Sequence, residues 1–239
     1  MTAIHALPDL AATTAFDTAP PAAAGTPHRV AAIGMALAAV LSIVFVGLDP
    51  EIRAHGAGPV LQAIAAAAPM HRLVHVAESL FVLLLAHGVT SLGTRLGVAR
   101  PLVRLGVLAY VLGALAMLAA ATFDGFVTPA AASAWLAPNH DAQAGLEAVR
   151  FAGIAVQSFA TMSWGLESVG ALALSAAMAA GRGGQRRLGV LGLAAALAPL
   201  VALAVSGPVM DMTVVIGILL AQAAWNLTCA AALWRRERP

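Results

Sequence analysis

The sequence predicts an all-α, polytopic integral membrane protein. The expected architecture is a six-transmembrane-helix bundle in the cell's inner (plasma) membrane, with both termini cytoplasmic. Three observations lead there. Of the 239 residues 61% are hydrophobic and only 10% charged, against about 25% charged in an average soluble domain. The mean hydropathy is +0.88. Six segments, roughly 29–48, 71–92, 101–123, 150–179, 186–205 and 212–234, meet the need for about 20 predominantly apolar residues per membrane crossing. Finally, all 13 basic residues are arginine, and they are unevenly placed.

Residues 1–28 are rich in Ala, Thr and Pro and have no hydrophobic period, so they read as a flexible N-terminal tail. No cationic n-region or small-residue cleavage site accompanies the first apolar run, which is expected to remain as a span. The loop after the second span carries Arg95, Arg100 and Arg104, and the loop after the fourth carries Arg182, Arg186 and Arg187. Residues 235–239 form a basic C-terminus. With Arg29 these place ten arginines on one side, against Arg53, Arg72 and Arg150 on the other. That asymmetry puts both termini inside.

Within the first outer loop, 49–69, the apolar piece 60–67 is expected to lie along the interface. The third span is expected to end at Asp124-Gly125, with Gly125 as C-cap and Pro129 barring continuation. Trp135 and Trp234 read as interfacial anchors, and Trp164 and Trp225 as residues facing the bundle interior. Helical pattern begins near Asp141, so the first turns of the fourth helix should stand clear of the membrane. Pro199 is a candidate kink in the fifth span.

Several function classes are excluded. The single cysteine, Cys229, rules out an intrachain disulfide, a CxxC redox pair and a cysteine-rich zinc site. It reads as a small buried hydrophobe. One HxxxH is too few for a multi-box desaturase, and no second helix supplies the paired histidines of a haem bundle. Neither a GxSxG nucleophile nor a GxGD motif is present. The halves show no repeat, which counts against an inverted-repeat transporter. The net charge of +2 is spread over membrane flanks and implies no nucleic-acid partner.

Ionisable residues inside hydrocarbon are costly, so those retained mark candidate sites. The second span carries His71, His75, Glu78 and His87. At about 100° per residue the first three share a sector of roughly 60°, and His87 points nearly opposite. Two imidazoles at i and i+4 can reach one ion. The expected metal ligands are therefore His71, His75 and Glu78, with His140 as a completion. Glu78 and Asp124 are the candidate catalytic carboxylates. The ion expected is a divalent metal such as zinc, or copper if Met70, Met210 and Met212 contribute. The competing reading is that these groups only hydrogen-bond between helices.

At a deeper level lie Ser163, Glu167, Gln222 and Asn226, with His87 about 24 Å below His71. His87 and Glu167 are expected to face each other as a deep polar pair. The leading function is thus a membrane protein binding a metal ion or small ligand, in one form a metal-assisted enzyme acting on a lipid-borne substrate. The alternatives are a proton-coupled small-solute transporter using Glu78, His87 and Glu167, or a non-catalytic membrane subunit. The partners expected are the lipid bilayer and a lipid-borne or small-molecule ligand.

Overall fold

The structure, a computed structural model, describes residues 26–206 and 211–235. Among the described residues there are helices and connections but no strands. The helices are α1 Thr26–Val46, α2 Ala57–Leu96, α3 Pro101–Thr122, α4 Thr128–Trp135, α5 Ala142–Ala179, α6 Gly183–Val205 and α7 Met212–Trp234. A single π-helical turn, Phe123–Val127, joins α3 to α4 without a break. Most of the tail 1–28 lies outside the described residues, as do residues 236–239 and Met210.

Five helical stretches are long and apolar enough to cross a membrane: His28–Val46, Ala57–Leu96, Pro101–Trp135, Gly183–Val205 and Met212–Trp234. Only α5 among the long helices falls short of that hydropathy, because Glu147, Arg150, Gln157 and Glu167 interrupt it. The chain is therefore a multi-pass, membrane-type helical protein.

The six long helices close a ring. α1 packs on α2 and α7, α2 on α3, α3 on α5, α5 on α6, and α6 on α7. The α3–α5 contact is the most extensive. A Cβ added at Gly170 would lie 2.6 Å from the Gly106 carbonyl oxygen and 2.8 Å from the Tyr110 nitrogen. Small residues of this kind let backbones approach where lipid supplies no hydrophobic drive between helices. Around this seam lies a buried cluster that includes Met35, Val89, Leu92, Val103, Tyr110, Leu174, Met178 and Trp225. Cys229 belongs to it as well, a buried free thiol.

Two helices outrun any bilayer. α2 has 40 residues and α5 has 38, about 60 Å and 57 Å at 1.5 Å per residue, against a hydrocarbon core of about 30 Å. Their N-terminal turns extend together at one end of the bundle and pack with α4 around Leu61, Ile64, Ala132 and Val149. Trp135 joins this small apolar cap and its ring meets His140 edge-on. Trp234 is exposed, with the Arg29 guanidinium 5.5 Å above its ring. Trp164 and Trp225 are buried, as expected.

Two boundaries differ from the sequence reading. The piece 60–67 does not lie as a separate interfacial segment; it forms early turns of α2, which runs on through Pro69. A proline inside a helix loses one i→i−4 hydrogen bond and crowds the carbonyl four residues back, a cost of about 3 kcal/mol that the packing of this stretch on α4 and α5 has to offset. The helix also does not end at Gly125. The π turn carries it on to Trp135, and Thr128 Oγ1 donates to the Phe123 carbonyl (3.0 Å) inside the widened turn. Asp141 caps α5 by accepting from the Gln143 N–H at 2.9 Å, close to the expected start.

Candidate metal centre

His71 and His75 lie one turn apart on α2, where it leaves the cap and enters the ring. Both side chains are buried, and their rings are parallel within 2°, with centroids 6.3 Å apart. The stretch after α1 brings Asp49 against them. Asp49 Oδ1 lies 2.9 Å from His71 Nδ1 and 4.0 Å from His75 Nε2. The π turn brings Asp124 to the other side, with Oδ2 3.4 Å from His75 Nε2.

Gly125 is what lets the π turn come this close. A Cβ there would sit 2.6 Å from His75 Cβ and 2.9 Å from its ring carbons, so any side chain at 125 would push the imidazole away. π turns occur often at functional sites, because the extra residue rephases the side chains that follow.

The three converging atoms are buried and unsatisfied. Asp49 Oδ1, His71 Nδ1 and His75 Nε2 each lack a hydrogen-bond partner. Asp49 and His71 are close enough to bond but out of the alignment a hydrogen bond requires. Buried polar atoms are nearly always paired, and these three contact one another and Asp124 as ion pairs without an aligned hydrogen bond. One donor atom from each of Asp49, His71 and His75 lies within 4.8 Å of the other two, a possible metal-binding group. Ligand atoms about 2.1 Å from a tetrahedral ion stand about 3.4 Å apart. Asp49 Oδ1 lies 2.9 Å from His71 Nδ1 and 4.0 Å from His75 Nε2, and His75 Nε2 3.4 Å from Asp124 Oδ2, so the atoms are near one another without being set at ligand geometry.

The other nitrogen of His75 is also held. Glu78 Oε2 lies 2.8 Å from Nδ1, at hydrogen-bond distance and geometry. An N–H bonded to a carboxylate at one edge of the ring fixes the tautomer that presents a lone pair at the other. Glu78 thus bonds the His75 ring and is not among the residues whose donor atoms converge. The i+3 spacing carries its carboxylate to the near nitrogen, away from the point where the orphan atoms meet.

Burial pushes the Asp49 carboxyl above its ordinary pKa, while His71 and His75 pull it the other way. The site is closed on the imidazole side and open on the carboxylate side. The side chains of His71 and His75 are 10% and 7% exposed, those of Asp49 and Asp124 32% and 36%.

The remaining expected residues lie elsewhere. His140 is exposed, with Nδ1 3.3 Å from the Ala137 carbonyl, and is not part of the group. His87 occupies the exposed face of α2. It does not meet Glu167, whose oxygens accept from Gln222 Nε2 at 3.0 Å and from Ser163 Oγ at 3.3 Å. The expected deep pair is thus replaced by a buried Glu–Gln–Ser network. Tyr110 donates to Asn226 nearby (3.2 Å). A cavity of about 10 Å³ borders Glu167, Ser168 and Asn226. That is room for about one water molecule.

Asp49 is the residue the sequence reading missed. Its signal was available: a carboxylate just past the C-terminus of an apolar helix opposes the helix dipole and needs a cationic or metal partner. Compared with models of known families, with curated proteins and with solved structures, the chain has no match.

Proposed function

We propose that this protein binds one divalent metal ion, zinc first, through Asp49, His71 and His75. Asp124 stands at the fourth position and Glu78 orients His75. The observation that carries this reading is the meeting of three buried, unpaired donor atoms from α2 and the α1–α2 connection. Two imidazoles and a carboxylate are a donor set of catalytic zinc sites, which keep a position open for water. The same set suits copper(I) poorly, since that ion favours thiolates and thioethers. Met70 and Met212 are 39% and 65% exposed, which gives the copper alternative no support from them.

The partial exposure of Asp49 and Asp124 supports an enzyme that uses the ion on a lipid-borne substrate. Bound zinc lowers the pKa of its water to about 7. Asp124 is the group placed to accept that proton or to complete the ligand sphere. In this reading α5 is the sixth span. The cap stands on the extracytoplasmic side and the ten-arginine side faces the cytoplasm, on the strength of the charge asymmetry.

The test is metal analysis of the purified protein after zinc loading and desalting, for the wild type, Asp49→Asn and His71→Ala. One zinc per wild-type chain, lost in both variants, is expected. A wild type without stoichiometric metal, or variants that retain it, overturns the assignment.

A further inference from the structure

The buried carboxylate of Glu167 stands apart from the metal centre and makes no ion pair among the described residues. It lies inside the ring, where α5 meets α3, α6 and α7, three helices apolar enough to cross a membrane. Oε2 accepts from Gln222 Nε2 at 3.0 Å and Oε1 from Ser163 Oγ at 3.3 Å. A carboxylate offers about four lone-pair sites, so these two bonds leave part of its capacity unused. The stem of the side chain is held from α3, since a Cβ at Gly113 would lie 2.6 Å from Glu167 Cγ.

The cavity of about 10 Å³ beside it is lined by residues that bring further oxygens. Ser168 is 2% exposed, and its Oγ has no hydrogen-bond partner. Pro199 has no N–H, so the carbonyl four residues back, that of Ala195, loses its partner in the helix ladder. Both residues line the cavity. Asn226 Oδ1 accepts one bond, from Tyr110 at 3.2 Å, and keeps a second lone pair. Three donors on the same walls are already engaged: Tyr110 Oη on Asn226, Gln222 Nε2 on Glu167, and Trp225 Nε1 on Ser175 Oγ at 2.8 Å. No arginine or histidine is among the lining residues.

We propose that this cavity binds one small monovalent cation, sodium first, through Glu167, Ser168, Asn226 and the Ala195 carbonyl. An ionised carboxylate among apolar helices is costly unless a positive charge meets it. One carboxylate balances one charge, and a divalent ion would leave the buried site net positive. A cavity with room for about one water molecule suits a single ion stripped of its hydration. Carbonyls freed where a transmembrane helix is interrupted are a recurrent source of sodium ligands, and Pro199 interrupts the ladder of α6. A water molecule alone would satisfy Ser168 and the carbonyl but leave the carboxylate charge uncompensated. The inference is independent of the metal centre.

The experiment measures binding of radioactive sodium to the full-length protein in neutral detergent by scintillation proximity. The buffer is mildly alkaline, so that protons compete little, and choline chloride holds the ionic strength. One saturable sodium per chain is expected, lost in Glu167→Gln. Ser168→Ala and Pro199→Ala are milder changes. The first deletes the unpartnered hydroxyl, and the second returns an N–H to the Ala195 carbonyl. Each should weaken binding about tenfold, the loss of one contact to a charged group. Glu147→Gln, an exposed carboxylate on the same helix outside the cavity, should leave affinity unchanged. Absence of saturable sodium overturns the site and leaves the cavity to a water molecule. Wild-type affinity in both Ser168→Ala and Pro199→Ala, or equal weakening by Glu147→Gln, overturns it as well. Displacement by calcium as strong as that by unlabelled sodium overturns the monovalent assignment.

Discussion

Glu78→Gln separates a ligand from an orienting residue. In the structure Glu78 Oε2 is 2.8 Å from His75 Nδ1, while His75 Nε2 faces Asp49 and Asp124. Glutamine keeps an acceptor oxygen for the Nδ1–H and removes only the charge. The ring therefore stays oriented but becomes a weaker donor. Loss of such outer partners costs about 10–100-fold in metal affinity, or about 1.4–2.8 kcal/mol at 1.4 kcal/mol per decade. Stoichiometry should remain at one zinc per chain.

Linkage turns this into a stability measurement. With free zinc at 100 times the wild-type dissociation constant, binding stabilises the folded wild type by about 2.7 kcal/mol. At the same zinc concentration the variant's ratio of zinc to dissociation constant is 10 to 1, and the gain falls to about 1.4–0.4 kcal/mol. Chelator competition gives the constants, and thermal unfolding with and without zinc gives the gain. If Glu78→Gln abolishes stoichiometric binding, Glu78 is a direct ligand and the assignment of roles is wrong. If affinity and zinc-dependent stability equal those of the wild type, the His75–Glu78 contact has no part in the site.

Three further outcomes are expected. Gly125→Ala should lower zinc affinity although residue 125 offers no ligand, because its Cβ would meet His75 Cβ at 2.6 Å; overpacking of this kind costs about 1–3 kcal/mol, read as a lower unfolding temperature of the zinc-free protein. Trp225→Phe removes the donor, 2.8 Å away, to the fully buried Ser175 Oγ, which should cost about 1–3 kcal/mol; Trp225→Phe with Ser175→Ala should recover part of it in a double-mutant cycle of unfolding free energies. Asp211 caps α7 by accepting from the Thr213 N–H, and this bond holds its carboxyl below the usual range. A lowered folded pKa gives stability that is complete above the unfolded value of about 3.9 and is lost as pH falls through the folded one, so acid unfolding should shift to lower pH in Asp211→Asn, which caps without titrating.

The positions of the long helices were legible because hydrocarbon demands uninterrupted apolar runs, and that demand is written residue by residue. Their ends were less legible. Ala57–Met70 has the composition of an apolar surface segment, and Pro69 read as a boundary. Helix continuity there depends on packing against α4 and α5, which no local pattern records. The α3–α4 junction was hidden for a related reason. Asp-Gly followed by proline is a stop signal in isolation, and only the seat of the π turn against His75 explains why the helix continues. In the site, i,i+4 spacing correctly paired His71 with His75. The same periodicity grouped Glu78 with them by angle, but it could not say which imidazole nitrogen the carboxylate would reach.

The helix end at which a carboxylate opposes the macrodipole is that of α1, beside Asp49, and not that of α3, beside Asp124. A carboxylate beyond a helix C-terminus is disfavoured by the unpaired carbonyls there and stays charged only with a compensating partner. Asp124 does not meet that condition, since its helix continues to Trp135 through the π turn. Asp49 does. α1 ends at Val46, and the Asp49 N–H bonds back to the Val46 carbonyl at 3.3 Å, so its carboxylate lies beside the negative end of the dipole. The atoms that face it from α2 are His71 Nδ1 at 2.9 Å and His75 Nε2 at 4.0 Å. A divalent ion among the three would offset the mismatch with the dipole, since it adds two positive charges where one half-buried carboxylate faces a row of carbonyls. The energetic oddity of Asp49 and the unpaired nitrogens of the two histidines therefore have one remedy in common, and that shared remedy favours an ion over a set of separate hydrogen bonds.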